Sequence, residues 1–394
     1  MRYGLHAALF LATLFTTTLA GSDLTTGRFW LAEPSWALLL RGLPYSLAFL
    51  AFLSFHEFGH YVAARLHRVG STLPYYIPIY LPLPGMLNIG SFGAIISLRD
   101  RPSSNVKYFD IGIAGPLAGF GVSVLLLAWG FTHLPDKNSY ILGIHPEYAE
   151  LFGRAPSEAQ MDAYLREQGQ QAYAVGSSLL FEAMKGLAPD PDQVPPHFEM
   201  MHYPFLFVGY ITLFFTALNL LPIGQLDGGH VLYGMFGGRR SGLIARIAVI
   251  ALLLVGGSGL ASFQREGWLE WLSLLIYFLF LIYICMQVLG AGQWRVAIPM
   301  AVILLMLQGL IKGIMPELQA NLIWLVYAWL AVRFVRLDHP PAERFQRLSP
   351  LRRALGWLSV AIFILCFSPE PIRISGPELP AALPAEAYLP ESRP

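Results

Sequence analysis

Hydrophobic residues make up 55% of the 394-residue chain and charged residues only 13%, with a mean hydropathy of +0.52, a balance that excludes an ordinary water-soluble globular protein. The net charge of +1 says little about partners, because what matters in such a chain is where the charges fall; no basic patch interleaved with aromatics suggests nucleic acid, and membrane lipid is the expected surroundings. Cys285 and Cys366 both lie in apolar runs, so they read as packing residues and exclude a disulfide framework or a thiolate metal cluster.

In chain order, nine apolar segments are long enough to be read as spanning helices: residues 5–20, 36–62, 108–131, 204–221, 243–261, 268–289, 296–310, 318–335 and 355–367. The fold class expected is therefore an all-α polytopic membrane protein. The first segment follows Arg2 and ends in small residues, as a signal peptide does, but no small-x-small cleavage pattern is seen and a retained helix is the reading adopted.

Within the second segment lies His56-Glu57-Phe58-Gly59-His60. Residues four apart share a helix face, so the two imidazoles converge on one metal ion, and Glu57 then falls where this motif places a base. Ionisable side chains in an apolar helix are functional candidates by default; the competing reading is a polar cluster that packs the helix end. Residues 73–96 follow, rich in Pro, Gly and aromatics, and Pro74, Pro78, Pro82 and Pro84 rule out a regular helix there. A re-entrant loop or short hairpin is expected. An exposed strand edge accepts an extended peptide through its backbone, which makes residues 90–96, with Gly90 and Gly93, a candidate substrate-binding segment. Plain packing of an irregular loop is the alternative.

Gly115 and Gly119 in the third segment have the small-x-x-x-small spacing that lets membrane helices approach closely. Residues 133–203 are more polar, with a periodic stretch at 155–187 expected to form one or two short helices and no barrel pattern of a PDZ domain. His133, His145, His197 and His202 are scattered through it and read as surface histidines rather than as a second metal site. The fourth segment ends in a second polar constellation, from Asn219 through Pro222, Gly224 and Asp227 to Gly229 and His230. Catalytic metal sites of the zinc type take three protein ligands, and Asp227 completes a His-His-carboxylate set, with His230 as its competitor. Asn219 is a candidate donor to substrate backbone or a developing oxyanion, or else a hydrogen bond between helices.

Charge distribution orients the chain. With a cytoplasmic amino terminus, the inner loops carry Arg65, Arg68, Arg99, Arg101 and Lys107, then Arg239, Arg240 and Arg246, Arg295, and Arg336 to Arg353, while acidic residues outnumber basic ones across 133–203 outside. This orientation brings Asp227 to the level of His56 and His60.

His56-Glu57-x-x-His60, Asn219-x-x-Pro222 with Leu226-Asp227-Gly228, and Gly115-Pro116-Leu117-Ala118-Gly119 together closely resemble the site-2 protease family of intramembrane zinc metalloproteases. Gly90-Ser91-Phe92-Gly93-Ala94-Ile95 and Gly224-Gln225-Leu226-Asp227 look most like the branch of chloroplast members and bacterial relatives; the resemblance covers residues 47–230. It implies Zn2+ held by His56, His60 and Asp227, Glu57 as catalytic base, and transmembrane proteins as substrates. The expected organisation is an amino-terminal helix and external linker (1–35), a catalytic core (36–230) containing the loop at 73–98 and the external segment at 133–203, carboxyl-terminal helices (231–368) and an external tail (369–394). A bacterial plasma membrane is the expected location. The readings set against it are an ion or metal transporter using the same polar residues, and a scaffold with a vestigial site; ligand spacing and the carboxylate placed as base favour the protease. Neither composition nor motifs identify a substrate or an oligomeric state.

Overall fold

The structure is a computed structural model that describes residues 3–81, 87–261, 267–290, 293–315 and 319–375. It divides into two units, one comprising Met1–Glu158, Ala174–Ala248 and Val335–Arg373, the other Ala159–Tyr173, Val249–Phe334 and Ile374–Pro394.

The first unit opens with helix α1 (Tyr3–Thr26), followed by α2 (Trp36–Arg41) and α3 (Leu43–Leu66). The expected single segment at 36–62 is thus broken at Gly42. Pro44 suits a helix start because it has no N–H to leave unpaired, and α1 passes so close that a Cβ on Gly42 would lie 2.0 Å from the Thr18 carbonyl oxygen. Strands β1 (Tyr75–Pro78) and β2 (Ser91–Ile95) pair antiparallel, Tyr75 opposite Ile95 and Tyr76 opposite Ala94, with an irregularity before Pro78. Side chains from both long helices hold this pair: Thr16 donates to the Gly90 carbonyl at 2.7 Å, Tyr45 to that of Ile89 at 2.9 Å, and the Ser54 and Tyr76 hydroxyls meet at 2.7 Å. Pro82 and Pro84 lie outside the described residues.

Helix α4 (Asn105–Thr132) starts at an N-cap in which Ser104 accepts from the Lys107 amide. It is followed by α5 (Lys137–Ile144), α6 (Glu147–Phe152), α7 (Glu158–Gln168), β3 (Ala172–Val175) and α8 (Leu179–Lys185). The two short helices expected in 155–187 are α7 and α8, with β3 between them. Next come α9 (Pro204–Leu220), α10 (Asp227–Phe236) and α11 (Gly238–Gly257), the last beginning in the first unit and ending in the second. Helices α3, α4, α9 and α10 pack side by side around buried Phe49, Phe52, Phe109, Leu127, Phe207 and Leu213. Helix α15 (Pro350–Cys366) and strand β4 (Ile372–Ser375) complete the described chain, β4 pairing with β3.

The second unit contains nearly all of α7, together with α12 (Trp268–Leu289), α13 (Trp294–Ile314) and α14 (Leu322–Leu330), which runs on into a π-helical turn at Ala331–Val335. Buried Gln308 donates to the Leu253 carbonyl at 2.7 Å and bonds the Tyr277 hydroxyl, so an amide amid apolar helices is satisfied internally, as a membrane interior requires. Cys285 and Cys366 are free and buried.

Each of the nine apolar segments is helical over most of its described part, with non-helical residues at Gly42, 258–261 and 319–321 and at the ends Leu221 and Phe367. Among the described residues, six helices, α1, α3, α4, α11, α12 and α13, are long and apolar enough to cross a membrane, and Pro204–Leu220 and Leu322–Val335 are shorter apolar helices. The chain is a mostly helical multi-pass membrane protein. Four short strands make it something other than all-α, because prolines at 74 and 78 and positive-φ glycines at 90 and 93 break helical geometry in the first pair.

Candidate metal centre

His56 and His60 stand on the same face of α3, four residues apart, and their Nε2 atoms lie 3.1 Å from each other. The other ring nitrogen of His60 donates to the Ile111 carbonyl of α4 at 2.7 Å. With its proton on Nδ1, His60 directs a lone pair from Nε2 toward His56 and Asp227.

Three glycines allow α4 to lie this close. A Cβ on Gly115 would sit 2.1 Å from His60 Nε2, and one on Gly119 would sit 2.9 Å from Phe52 and 3.2 Å from His56 Nδ1. From the α3 side, a Cβ on Gly59 would lie 2.5 Å from the Ala114 carbonyl oxygen. The glycine spacing of the third apolar segment therefore serves a specific contact, in which bare backbone seats the histidine rings.

Asp227 reaches the pair because α9 stops at Leu220 and the chain turns back before α10. Pro222 cannot continue the helix hydrogen bonding. Gly224 takes φ +47°, and Gly228 and Gly229 press against the carbonyls of Leu220 and Gly224, where added Cβ atoms would lie at 2.1 and 2.3 Å. Asp227 is the first residue of α10, where free N–H groups favour a carboxylate. Its Oδ2 lies 3.4 Å from His56 Nε2 and 3.3 Å from His60 Nε2.

These three donors, two imidazole nitrogens and a carboxylate oxygen, form a buried group that could hold a metal ion. Their mutual separations of 3.1 to 3.4 Å match the roughly 3.3 Å edge of a tetrahedral site with ligand bonds of about 2.0–2.1 Å. His56 Nδ1 is buried without a hydrogen-bond partner, which leaves that ring free to settle by small rotations.

Glu57, 7% exposed, lies within electrostatic reach of His60 and Asp227, and the Ile96 amide just past β2 sits beside its carboxylate. The Asn219 amide nitrogen is 3.4 Å from His56 Nε2. His230 does not join the group: its Nδ1 faces His339 Nε2 at 2.7 Å, and its ring stacks on Tyr108. Gly90 is backed onto α1, its Cβ position 2.5 Å from Thr17 Cα, whereas Gly93, at φ +100°, has open space around it. Two contributions escape sequence reasoning, the Ile111 carbonyl that orients His60 and the His339 ring that engages His230. Both come from distant residues without a local pattern.

The fold and site define a multi-pass membrane protein with a two-histidine, one-aspartate group among its helices that could hold a metal ion. The chain belongs to peptidase family M50, which it matches over residues 44–261. It is 30% identical over 195 residues to the protein called probable zinc metalloprotease EGY1, chloroplastic, of Arabidopsis thaliana, covering 50% of this chain and 30% of that one. Over 273 residues it is 27% identical to probable zinc metalloprotease EGY2, chloroplastic, of Oryza sativa subsp. indica, covering 69% of this chain and 42% of the relative. The matches thus span less than half of either relative's length. No solved structure matches the chain.

Proposed function

We propose that this chain is an intramembrane zinc metalloprotease that hydrolyses peptide bonds within or near transmembrane segments of other membrane proteins. The observation that carries the proposal is the convergence of His56, His60 and Asp227 beside Glu57 in a chain of peptidase family M50. His56, His60 and Asp227 hold the zinc. Bound there, zinc supplies Lewis acidity to the scissile carbonyl and to water.

The chain's own residues supply the rest. Glu57 takes the proton from the attacking water and delivers it to the nitrogen of the departing amine, so the peptide C–N bond breaks as the C–O bond forms. The Ile96 amide and the low exposure of Glu57 hold the carboxylate in place. Asn219, at the edge of the group, is the donor for substrate backbone or for charge developing on the carbonyl oxygen. A helical substrate hides its peptide groups in internal hydrogen bonds and must be extended before attack. The β2 segment from Gly90 to Ile96 receives the extended strand: Phe92 and Ile95 are exposed, and Gly93 leaves room for a backbone to approach, while Gly90 anchors the strand to α1.

The remaining organisation in this reading is nine spans with 73–98 entering the membrane as a re-entrant hairpin, the amino terminus and the Arg239 loop cytoplasmic, and 133–203 outside. Residues 36–230 make the catalytic core, 231–368 a carboxyl-terminal helical region and 369–394 an external tail, in a bacterial plasma membrane. In the test, membrane proteomes of cells carrying wild-type protein or Glu57→Gln are compared. Uncut membrane proteins should accumulate with the variant while its zinc content stays at the wild-type level; identical proteomes would count against proteolysis by this site.

A further inference from the structure

His145, Glu199 and His202 are far apart in sequence, yet their donor atoms lie within 4.8 Å of one another. His145 ends α5, and Glu199 and His202 belong to the turn that leads into α9, all in the first unit. The two Nε2 atoms are 3.1 Å apart, and Glu199 Oε2 is 3.6 Å from that of His202 and 4.0 Å from that of His145. The reading of these residues as scattered surface histidines fails: His202 is buried and Glu199 is 1% exposed.

Hydrogen bonding does not resolve this cluster. His145 Nδ1 bonds the Glu147 carboxylate at 2.9 Å; it donates there, so its Nε2 carries a lone pair. The backbone carbonyls of Leu24 and Thr25, at the end of α1, act on the His202 ring. A proton on His202 Nδ1 suits those carbonyls but leaves two Nε2 lone pairs facing each other with a carboxylate beside them. Moving the proton to Nε2 turns a lone pair toward the carbonyls instead. In either tautomer Glu199 Oε2 is buried without a hydrogen-bond partner, although Tyr148 bonds the carboxyl group. A buried, unpartnered carboxylate oxygen is unfavourable, because its lost hydration is not replaced.

A cation placed among the three atoms removes all of these conflicts at once. His145 is already oriented through its outer nitrogen by the Glu147 carboxylate, as metal-bound histidines usually are, while His202 Nδ1, near the Leu24 and Thr25 carbonyls, is buried without a hydrogen-bond partner. The surrounding backbone is fixed as well, since the Glu199 carbonyl accepts from the His202 amide at 3.0 Å and the His202 carbonyl from the Tyr140 hydroxyl at 2.7 Å. Two nitrogens and one oxygen suit a borderline divalent transition metal, zinc above all, and not magnesium or calcium, which take oxygen ligands.

We propose that His145, Glu199 and His202 form a second divalent transition-metal site, separate from the His56 group, that fastens the end of α5 to the turn leading into α9.

Metal content of the purified full chain tests this, by mass spectrometry and by zinc competition with a chromophoric chelator. Two zinc ions per chain are expected in wild type, one in His56→Ala/His60→Ala and one in His202→Gln. Chelation should lower the thermal midpoint of the His56→Ala/His60→Ala protein, and His145→Gln, which alters the more accessible ligand, should abolish that shift. One ion in wild type and none in His56→Ala/His60→Ala, with a midpoint indifferent to chelator, would reduce the cluster to packed histidines. If either variant fails to fold, the wild-type count decides, two ions upholding the site and one overturning it.

Discussion

Replacing Gly115 by Ala puts a methyl group where α4 meets His60. The added Cβ would begin 2.1 Å from His60 Nε2 and 2.4 Å from Cε1, so ordinary contact at about 3.5 Å requires the ring or the helix to move by more than about 1 Å. The ring has little freedom to do so, because its Nδ1 is tied to the Ile111 carbonyl one turn away on the same helix. Metal ligands tolerate displacements of only about 0.2 Å. A loss of at least about 10- to 100-fold in zinc affinity is therefore expected, with an overpacking cost of about 1–3 kcal/mol in stability. Gly121, on the same helix, has nothing within 4 Å of its Cβ position, and Gly121→Ala should keep wild-type zinc. Zinc competition and thermal unfolding in detergent on the two variants give the comparison. Wild-type zinc affinity and turnover in Gly115→Ala would refute the claim that bare backbone seats the histidine.

A cysteine at Ser157, in a chain whose native cysteines are both buried, should be labelled only from the side opposite the Arg239 loop; labelling from the same side would break the proposed topology. Asn105 is fully buried and bonds the Gly234 carbonyl and both polar backbone groups of Gln346. Asn105→Ala should therefore cost about 2–3 kcal/mol, and an unchanged thermal midpoint would show that the 336–349 stretch does not depend on it. Burial and the neighbouring His230 hold the His339 imidazole down at about 3. The unfolded chain binds that proton near 6.5 and the folded one resists it, so this contribution is intact above about pH 6.5 and lost as pH falls toward 3. His339→Gln should lose less stability than wild type between pH 7 and pH 5, and equal losses at this step would contradict the assignment.

What the sequence made legible follows from the range of the interactions involved. Apolar runs are local, and each is helical over most of its described length; Trp268–Leu289 has the same ends in sequence and structure. The four-residue spacing of His56 and His60 is also local, and a helix brings their Nε2 atoms to 3.1 Å without help from elsewhere. Asp227 could be placed beside them only by alternating spans across a bilayer, an argument about level rather than contact. The break at Gly42 falls where Arg41 and Pro44 interrupt the apolar run, and the close crossing of α1 at that point is what the sequence does not show. The antiparallel pair of Tyr75–Pro78 and Ser91–Ile95 matches the short hairpin that the prolines left open beside a re-entrant loop, but its ends were not legible, since short strands held by Thr16 and Tyr45 carry no alternation of their own. His145, Glu199 and His202 were the least visible, because only the meeting of the end of α5 with the turn before α9 assembles them.

The most direct measurement reconstitutes purified protein in lipid vesicles with a single-span membrane protein and reads peptide fragments by mass spectrometry and ion flux in the same preparation. Wild-type protein should cut the substrate within or beside its apolar span, a chelator should stop the cutting, and Glu57→Gln should retain zinc yet leave the substrate whole. Intact substrate with the wild-type protein, together with ion flux that Glu57→Gln abolishes, would contradict proteolysis and assign the same polar residues to transport.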